Sequence, residues 1–281
     1  MDYQTRINNV IDFIGLNIDS ELTLEQLSEV ACFSKYHFHR LFTAYTGLSL
    51  RQYIKWLRLK RAAHQLNTHK NRNIIEIALD AGFESHESFA RAFKKAGGQT
   101  PNEFRKRPGW DLWNQPPYSL QTIQETTMNV TIKELPAKRL AVLEHHGDFK
   151  KLGDTIDQMR EWTRSQSINL KPKPDTRYGY AYNDPFETPT DEFRHDIGIL
   201  VPESFKIEGG PQERYLPAGR YAIATHKGSR NTVGDTVYAL YQWASNKGQE
   251  LADLPCIFCY QNFEHEVAET ELRTDVMLLL K

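Results

Sequence analysis

Two arginines, Arg40 and Arg91, stand at matching places in a repeated pattern. An arginine at the start of an exposed helix offers two parallel donors that fit O6 and N7 of guanine in the major groove, a pair worth about 1–3 kcal/mol of base discrimination. Lys35, Tyr36 and His39 precede the first, and Ser85, His86, Glu87 and Ala90 precede the second. Glu87 can accept from cytosine N4, whereas Ala90 is too short to hydrogen-bond a base. Other reactive side chains have weaker patterns. Cys256-Ile-Phe-Cys259 has chelate spacing, yet no second Cys/His pair accompanies it, and residues i and i+3 of a strand point to opposite faces. Two apolar core cysteines are expected there, with no metal and no cofactor. His145-His146 suggests a base or ligand, but His145 recurs as His226 in a repeat, which favours a structural role. No nucleophile elbow, phosphate-binding glycine loop or zinc-protease helix occurs.

The elements that must hold the arginines are helices. Ile7, Val10, Ile11 and Ile14 fall at helical spacing, and Thr23 followed by Gln26 is a capping-box start for a helix carrying Leu24, Leu27, Val30 and Ala31. A third helix runs from Lys35, with Phe38, Leu41 and Phe42 inward and Lys35, Tyr36, His39 and Arg40 outward. Fifty residues later Ile74, Ile77, Ala81 and Phe83 repeat Leu24, Leu27, Ala31 and Phe33. Ser85, Phe89, Arg91 and Phe93 then repeat Ser34, Phe38, Arg40 and Phe42. Two helix-turn-helix units follow, joined by one long helix over Ser49 to Leu66. His37, His64 and His69 are expected at the surface. The first unit is expected to make more base hydrogen bonds, with Arg91 the main anchor of the second.

Charge agrees with this division. Residues 1–108 carry 16 Lys and Arg against 11 Asp and Glu, a surplus of +5, while the remainder carries 19 against 25, or -6. A basic end suits a polyanion. With no apolar run near the roughly 18 residues of a membrane span, no signal-peptide core and only three cysteines, a soluble cytoplasmic protein is expected.

Pro108-Gly109 and Pro116-Pro117 mark a connection over residues 108–126, in which Trp110, Trp113 and Tyr118 should pack on one domain or the other. Beyond it the chain is duplicated. Leu135-Pro-Ala-Lys-Arg139 returns as Leu216-Pro-Ala-Gly-Arg220, with eleven identities in the 28 positions from Leu135 to Trp162 against Leu216 to Trp243. Each half reads strand, helix, strand, strand. The fold class expected is therefore multidomain: an all-α double helix-turn-helix domain over 1–107, then an α+β domain of two β-α-β-β repeats over 127–281. Tyr178, Tyr180, Tyr182, Tyr221, Trp243, Phe258 and Tyr260 form a heavy aromatic supply near the junction, as plain core or as the lining of a ligand cleft.

Residues 5–107 resemble the DNA-binding domain of the AraC/XylS family through Gly82-Phe83-Glu84-Ser85, Phe89-Ala-Arg91-Ala-Phe93-Lys94 and Thr100-Pro-Asn-Glu-Phe104-Arg105. That resemblance implies two recognition helices in adjacent major grooves, with base-facing residues Tyr36, His39 and Arg40, then His86, Glu87, Ala90 and Arg91. Cys32 stands where the first turn often has glycine, so strain is expected there. Residues 127–281 resemble the GyrI-like effector-binding domain through the two His-x-Gly turns, Trp162, Trp243 and Arg194-His-Asp196. The resemblance implies a small amphipathic or aromatic, often cationic, ligand that meets a buried Glu. Phe258 stands at that Glu position, so a cation would need another acid, Asp184 or Glu264. Together these imply a ligand-responsive regulator whose partners are double-stranded promoter DNA, a small effector and RNA polymerase, and which is not an enzyme. The alternatives are a GyrI-like hydrolase and a drug-sequestering module.

Overall fold

Thr23, Ser49 and Thr100 begin three helices in one way: each hydroxyl accepts from the backbone N–H three residues on, and Gln26, Gln52 or Glu103 returns a bond to the capping backbone. Such boxes satisfy N–H groups that a helix start would otherwise leave open. The computed structural model describes residues 3–115, 128–166, 173–185 and 188–281. Pro116, Pro117 and Tyr118 lie outside the described residues. The chain divides into two compact units, Met1–Thr122 and Ile123–Lys281.

The first unit is helical throughout: α1 (Tyr3–Leu16), α2 (Leu24–Val30), α3 (Lys35–Thr46), α4 (Leu50–Thr68), α5 (Ile74–Asp80), α6 (His86–Gly97), α7 (Pro101–Lys106) and α8 (Asp111–Asn114). α1 packs on α2 and α3, and α4 repeats that role for α5 and α6 while also touching α3 and α7. The repeat thus runs further than the helix-turn-helix pairs, because the capped starts Ser49 and Thr100 match, as do the buried Tyr53 and Phe104 behind them. One core gathers Ile7, Val10, Ile14, Leu27, Phe38 and Phe42, all at most 1% exposed. The other gathers Leu59, Leu66, Ile77, Phe89, Phe93 and Phe104, and Trp113 of α8 closes it. Trp113 lies flat against α6, where a Cβ on Gly97 would fall 2.4 Å from its ring. Trp110 stacks near His64, with ring centres 4.6 Å apart. Both tryptophans of the expected connection therefore pack on the helical unit.

The second unit is an eight-stranded antiparallel sheet of β1 (Val130–Leu135), β2 (Lys138–Leu143), β3 (Arg177–Ala181), β4 (His195–Leu200), β5 (Gln212–Leu216), β6 (Gly219–Lys227), β7 (Cys256–Tyr260) and β8 (Arg273–Leu279), with α9 (Leu152–Ser165) after β2 and α10 (Val233–Asn246) after β6. Its order, β1-β6-β8-β7-β3-β4-β2-β5, is symmetric about the β7–β3 pair. Both β-α-β-β halves are present. A further strand, not foreseen, precedes each one, and the two are exchanged: β1 pairs with β6 of the other half and β5 with β2. Both His-x-Gly turns have the same geometry, with φ +105° at Gly147 and at Gly228. His145 Nδ1 lies 2.8 Å from Thr155 Oγ1 on α9, and His226 Nδ1 lies 2.8 Å from Thr236 Oγ1 on α10. Their Nε2 atoms face the carbonyls of Asp148 and Ser229, which only accept, so Nε2 carries the proton. Each histidine ties a strand end to its helix, the structural role its recurrence suggested.

Candidate functional site

Within α3, Lys35 is exposed and Tyr36 and His39 are half-buried, but Arg40 is 5% exposed. This corrects the outward placement of Arg40. His37, also expected at the surface, is buried too, whereas His64 and His69 are exposed. The physical reason is a second buried stripe. His37, Arg40 and Ala44 fall at i, i+3 and i+7 beside the apolar stripe of Phe38, Leu41 and Phe42, so seven of the twelve residues of α3 are buried. Polar residue types at two of those positions hid the stripe from sequence reading.

α6 is different. It buries only Phe89, Phe93 and Gly97. Ser85, Glu87 and Arg91 are exposed and His86 and Ala90 half-buried, so the second unit presents its arginine to solvent. Ser85 accepts from the N–H of Ser88 and fixes the helix start, whereas Ser34 makes no side-chain cap for α3. Lys55 of α4, which sequence reading passed over, sits over the Phe83 ring at 5.4 Å beside the second turn.

In the sheet unit the seven aromatics, expected either as plain core or as the lining of a cleft, do not share one face. Cross-strand partners in an antiparallel sheet point the same way. Tyr178 pairs with Cys259 and Tyr180 with Ile257, so Phe258 and Tyr260, the chain neighbours of Cys259, point to the other side. Tyr178, Tyr180 and Tyr221 are at most 1% exposed, packed with Leu140, Leu216 and Ile257. That face is core, not an open cleft. Tyr182 is half-buried at its border. Cys256 and Cys259 are both buried and pair with residues of opposite faces, Ala181 and Tyr178, as a strand requires. Burial pushes the Cys259 thiol up to about 12.

Along the edge of the tyrosine face runs an ion network that sequence reading did not assemble. Asp196, fully buried, accepts from Arg194 at 2.8 Å and Arg214 at 2.6 Å, and both arginines also reach Glu144, at 2.9 and 2.8 Å. Arg194 lies 4.2 Å from the Tyr182 ring centre and Arg214 lies 5.2 Å from that of Tyr180. Burial alone would raise the Asp196 carboxyl, but the bonds from Arg194 and Arg214 outweigh it and hold the group below its ordinary range. Its contribution to stability is therefore present above the unfolded carboxylate pKa and is lost as pH falls through the folded value. The signal for it was the return of Arg194 and Asp196 as Arg273 and Asp275.

On the helix side, β3 and β7 lie between the strands that the helices cover: α10 packs on β6 and β8, and α9 on β4. Phe258 and Tyr260 are half-buried there. His195 stands 5.9 Å from the Phe258 ring. A Cβ on Gly179 would fall 2.7 Å from His195 Nε2 and 2.8 Å from Tyr260 Oη, so only glycine lets these two polar groups converge on the middle strand. Arg230, at the approach to α10, covers the Tyr260 ring at 4.6 Å and pairs with Glu264. Burial pushes the Tyr260 hydroxyl up to about 12. Trp243 of α10 is half-buried, and Asp184 accepts from Tyr238.

The family model described as the GyrI-like small molecule binding domain matches residues 128–281, and a helix-turn-helix domain model matches residues 27–107. The chain is 28% identical over 249 residues to the transcriptional regulator Rob of Salmonella typhimurium, covering 86% of this chain and 84% of that one. It is 38% identical over 110 residues to the transposon Tn10 TetD protein of Escherichia coli, which is 39% of this chain and 79% of that protein. Over 161 residues it is 29% identical to the probable transcriptional regulator YgiV of Escherichia coli, spanning 55% of this chain and 97% of YgiV.

Proposed function

The chain belongs to the GyrI-like family and joins that domain to an AraC-type helix-turn-helix domain, and on that premise we propose that a small molecule held by the sheet unit adjusts how this DNA-binding transcriptional regulator engages its promoter. The observation that carries the effector site is the contrast between the two faces of the sheet. Tyr178, Tyr180 and Tyr221 are sealed in core, whereas Phe258 and Tyr260 stay half-buried beside His195 and Gly179. An apolar ring with two convergent polar groups is the make-up of a ligand seat. The effector class that this seat favours is a flat aromatic carrying both a donor and an acceptor. In this reading Trp243 of α10 is a further aromatic contact, and Asp184, which accepts from Tyr238 of the same helix, is the acid for a positive substituent.

Base contacts belong in this reading to Lys35, Tyr36 and His39 of α3 and to Ser85, His86, Glu87 and Arg91 of α6, with RNA polymerase as the partner met at the promoter and the cytoplasm as the compartment. Among the described residues no helix is long and apolar enough to cross a membrane. Phe258, at the position where the resemblance places a Glu, favours binding over hydrolysis in this reading.

A thermal-shift screen of neutral aromatics, aromatic cations and bile-salt-like anions is the direct test, since a ligand of the folded state raises apparent stability. A hit should lose its effect in Phe258→Ala and should shift the affinity of the wild-type chain for DNA flanking its own gene. Hits that stabilise Phe258→Ala equally would remove the seat from β7. DNA affinity unchanged at saturating ligand would end the regulatory reading.

A further inference from the structure

The helical unit holds a cavity of about 510 Å³ at the foot of α6, lined by Asn71, Arg72 and Asn73 of the loop before α5, by Ile74 and Ile75, by His86, and by Arg105 of α7. No carboxylate lines it. Arg72 is already neutralised, since it pairs with Asp80 at 2.6 Å and with Glu76 at 3.5 Å. Arg105 makes no ion pair among the described residues. One of its terminal nitrogens donates to the Arg72 carbonyl at 2.7 Å, which orients the side chain, and its backbone carbonyl accepts from Lys70 at 2.7 Å. Its Nε is buried and has no hydrogen-bond partner among the described residues. The Arg105 side chain is half-buried and lines the cavity with its charge unmatched by any carboxylate among the described residues, and guanidinium-to-phosphate bonds are among the strong ones.

We propose that Arg105, with Asn71 and Asn73 beside it, seats one backbone phosphate of the DNA whose major groove α6 enters. The inference rests on the DNA-binding reading above and adds a contact outside the recognition helices. His86 joins the two, because it lines the cavity and is also the first residue of α6. A phosphate held there fixes the register of α6 along the groove without reading sequence. The first unit has no equivalent. At the spacing that aligns Thr100 with Ser49 and Phe104 with Tyr53, the counterpart of Arg105 is Ile54.

The test is a salt series of fluorescence anisotropy with the full chain and two duplexes of equal length, one from the DNA flanking its own gene and one of random sequence. Each phosphate contact contributes about 0.9 to the slope of log affinity against log salt. Arg105→Gln should lower that slope by about 0.9 on both duplexes and weaken both by a similar factor, about tenfold. Arg105→Lys, which keeps the charge, should retain the wild-type slope. An unchanged slope in Arg105→Gln, a loss confined to the promoter duplex, or equal slope losses in both variants would overturn the proposal. Inorganic phosphate in a thermal-shift assay separates the remaining source: stabilisation lost in Arg105→Gln with no change in DNA slope would make this a free-phosphate site. A wild-type chain that binds neither duplex defeats the regulator reading as well, whereas binding with an unaltered slope in Arg105→Gln defeats only this inference.

Discussion

The two helix-turn-helix units share a sequence pattern and differ in what they expose. Arg40 and Arg91 occupy the same place, yet one is buried and the other faces solvent. Ser34 leaves α3 without a side-chain cap where Ser85 caps α6. In the turns, Cys32 takes φ +51° where Gly82 takes +81°, a left-handed conformation that disfavours a residue with a Cβ. A duplicated pattern thus fixes where helices start and which apolar residues meet, while the second packing contact of each helix decides what its polar residues can do. α3, embedded on two stripes, buries its arginine and leaves Lys35, Tyr36 and His39 at its surface. α6, held on one, keeps its recognition face open.

Substitution at the paired arginines should separate the units most. Arg40→Ala is expected to cost about 3 kcal/mol of folding stability, read as a lowered midpoint in urea, because it removes a buried side chain and strands whatever it meets. Arg91→Ala should leave that midpoint within about 0.5 kcal/mol of wild type. An Arg40→Ala chain that melts normally but loses its footprint would break the comparison outright. Next in size, Arg91→Ala should cost about 2 kcal/mol of discrimination between promoter and random DNA, measured by competition, if its guanidinium meets a guanine. Retained preference would move base reading elsewhere on α6. The turns come third: Cys32→Gly is expected to stabilise by about 1 kcal/mol and Gly82→Ala to destabilise by about as much. In Gly82→Ala the new methyl would also lie 3.1 Å from the Arg58 guanidinium. Equal and opposite shifts in thermal midpoint would sharpen the parallel between the turns. The smallest effect lies at the caps, where Ser85→Ala should cost about 0.5–1 kcal/mol and Ser34→Ala almost nothing. A comparable loss at Ser34 would show that a cap forms there in solution.

Much of the architecture was legible because it was written twice. Capping boxes, the fifty-residue helical repeat and the duplicated strand-helix pattern all encode local geometry that neighbouring residues determine. What escaped depends on distant partners. Arg40 is buried by packing on the far side of α3, which no apolar pattern announced. The seven aromatics looked like one group because sequence shows proximity along the chain, whereas pairing Tyr178 with Cys259 sends Phe258 to the opposite face. The Arg194–Asp196–Arg214–Glu144 network draws on residues up to 70 positions apart. Arg105 belongs to a family motif in the sequence, and only the fold shows that it lines a cavity free of carboxylates.

The exchanged strands of the sheet bear on how such a domain can come apart. Each half lends its leading strand to the other, β1 to β6 and β5 to β2. A single half cut out of the chain would carry a strand with nothing to pair and an edge with nothing to cover it. Two separate copies would mend both faults by embracing each other, so one repeat alone is half of a dimer. In this chain the tether over β4 to β5 makes that embrace permanent and independent of concentration.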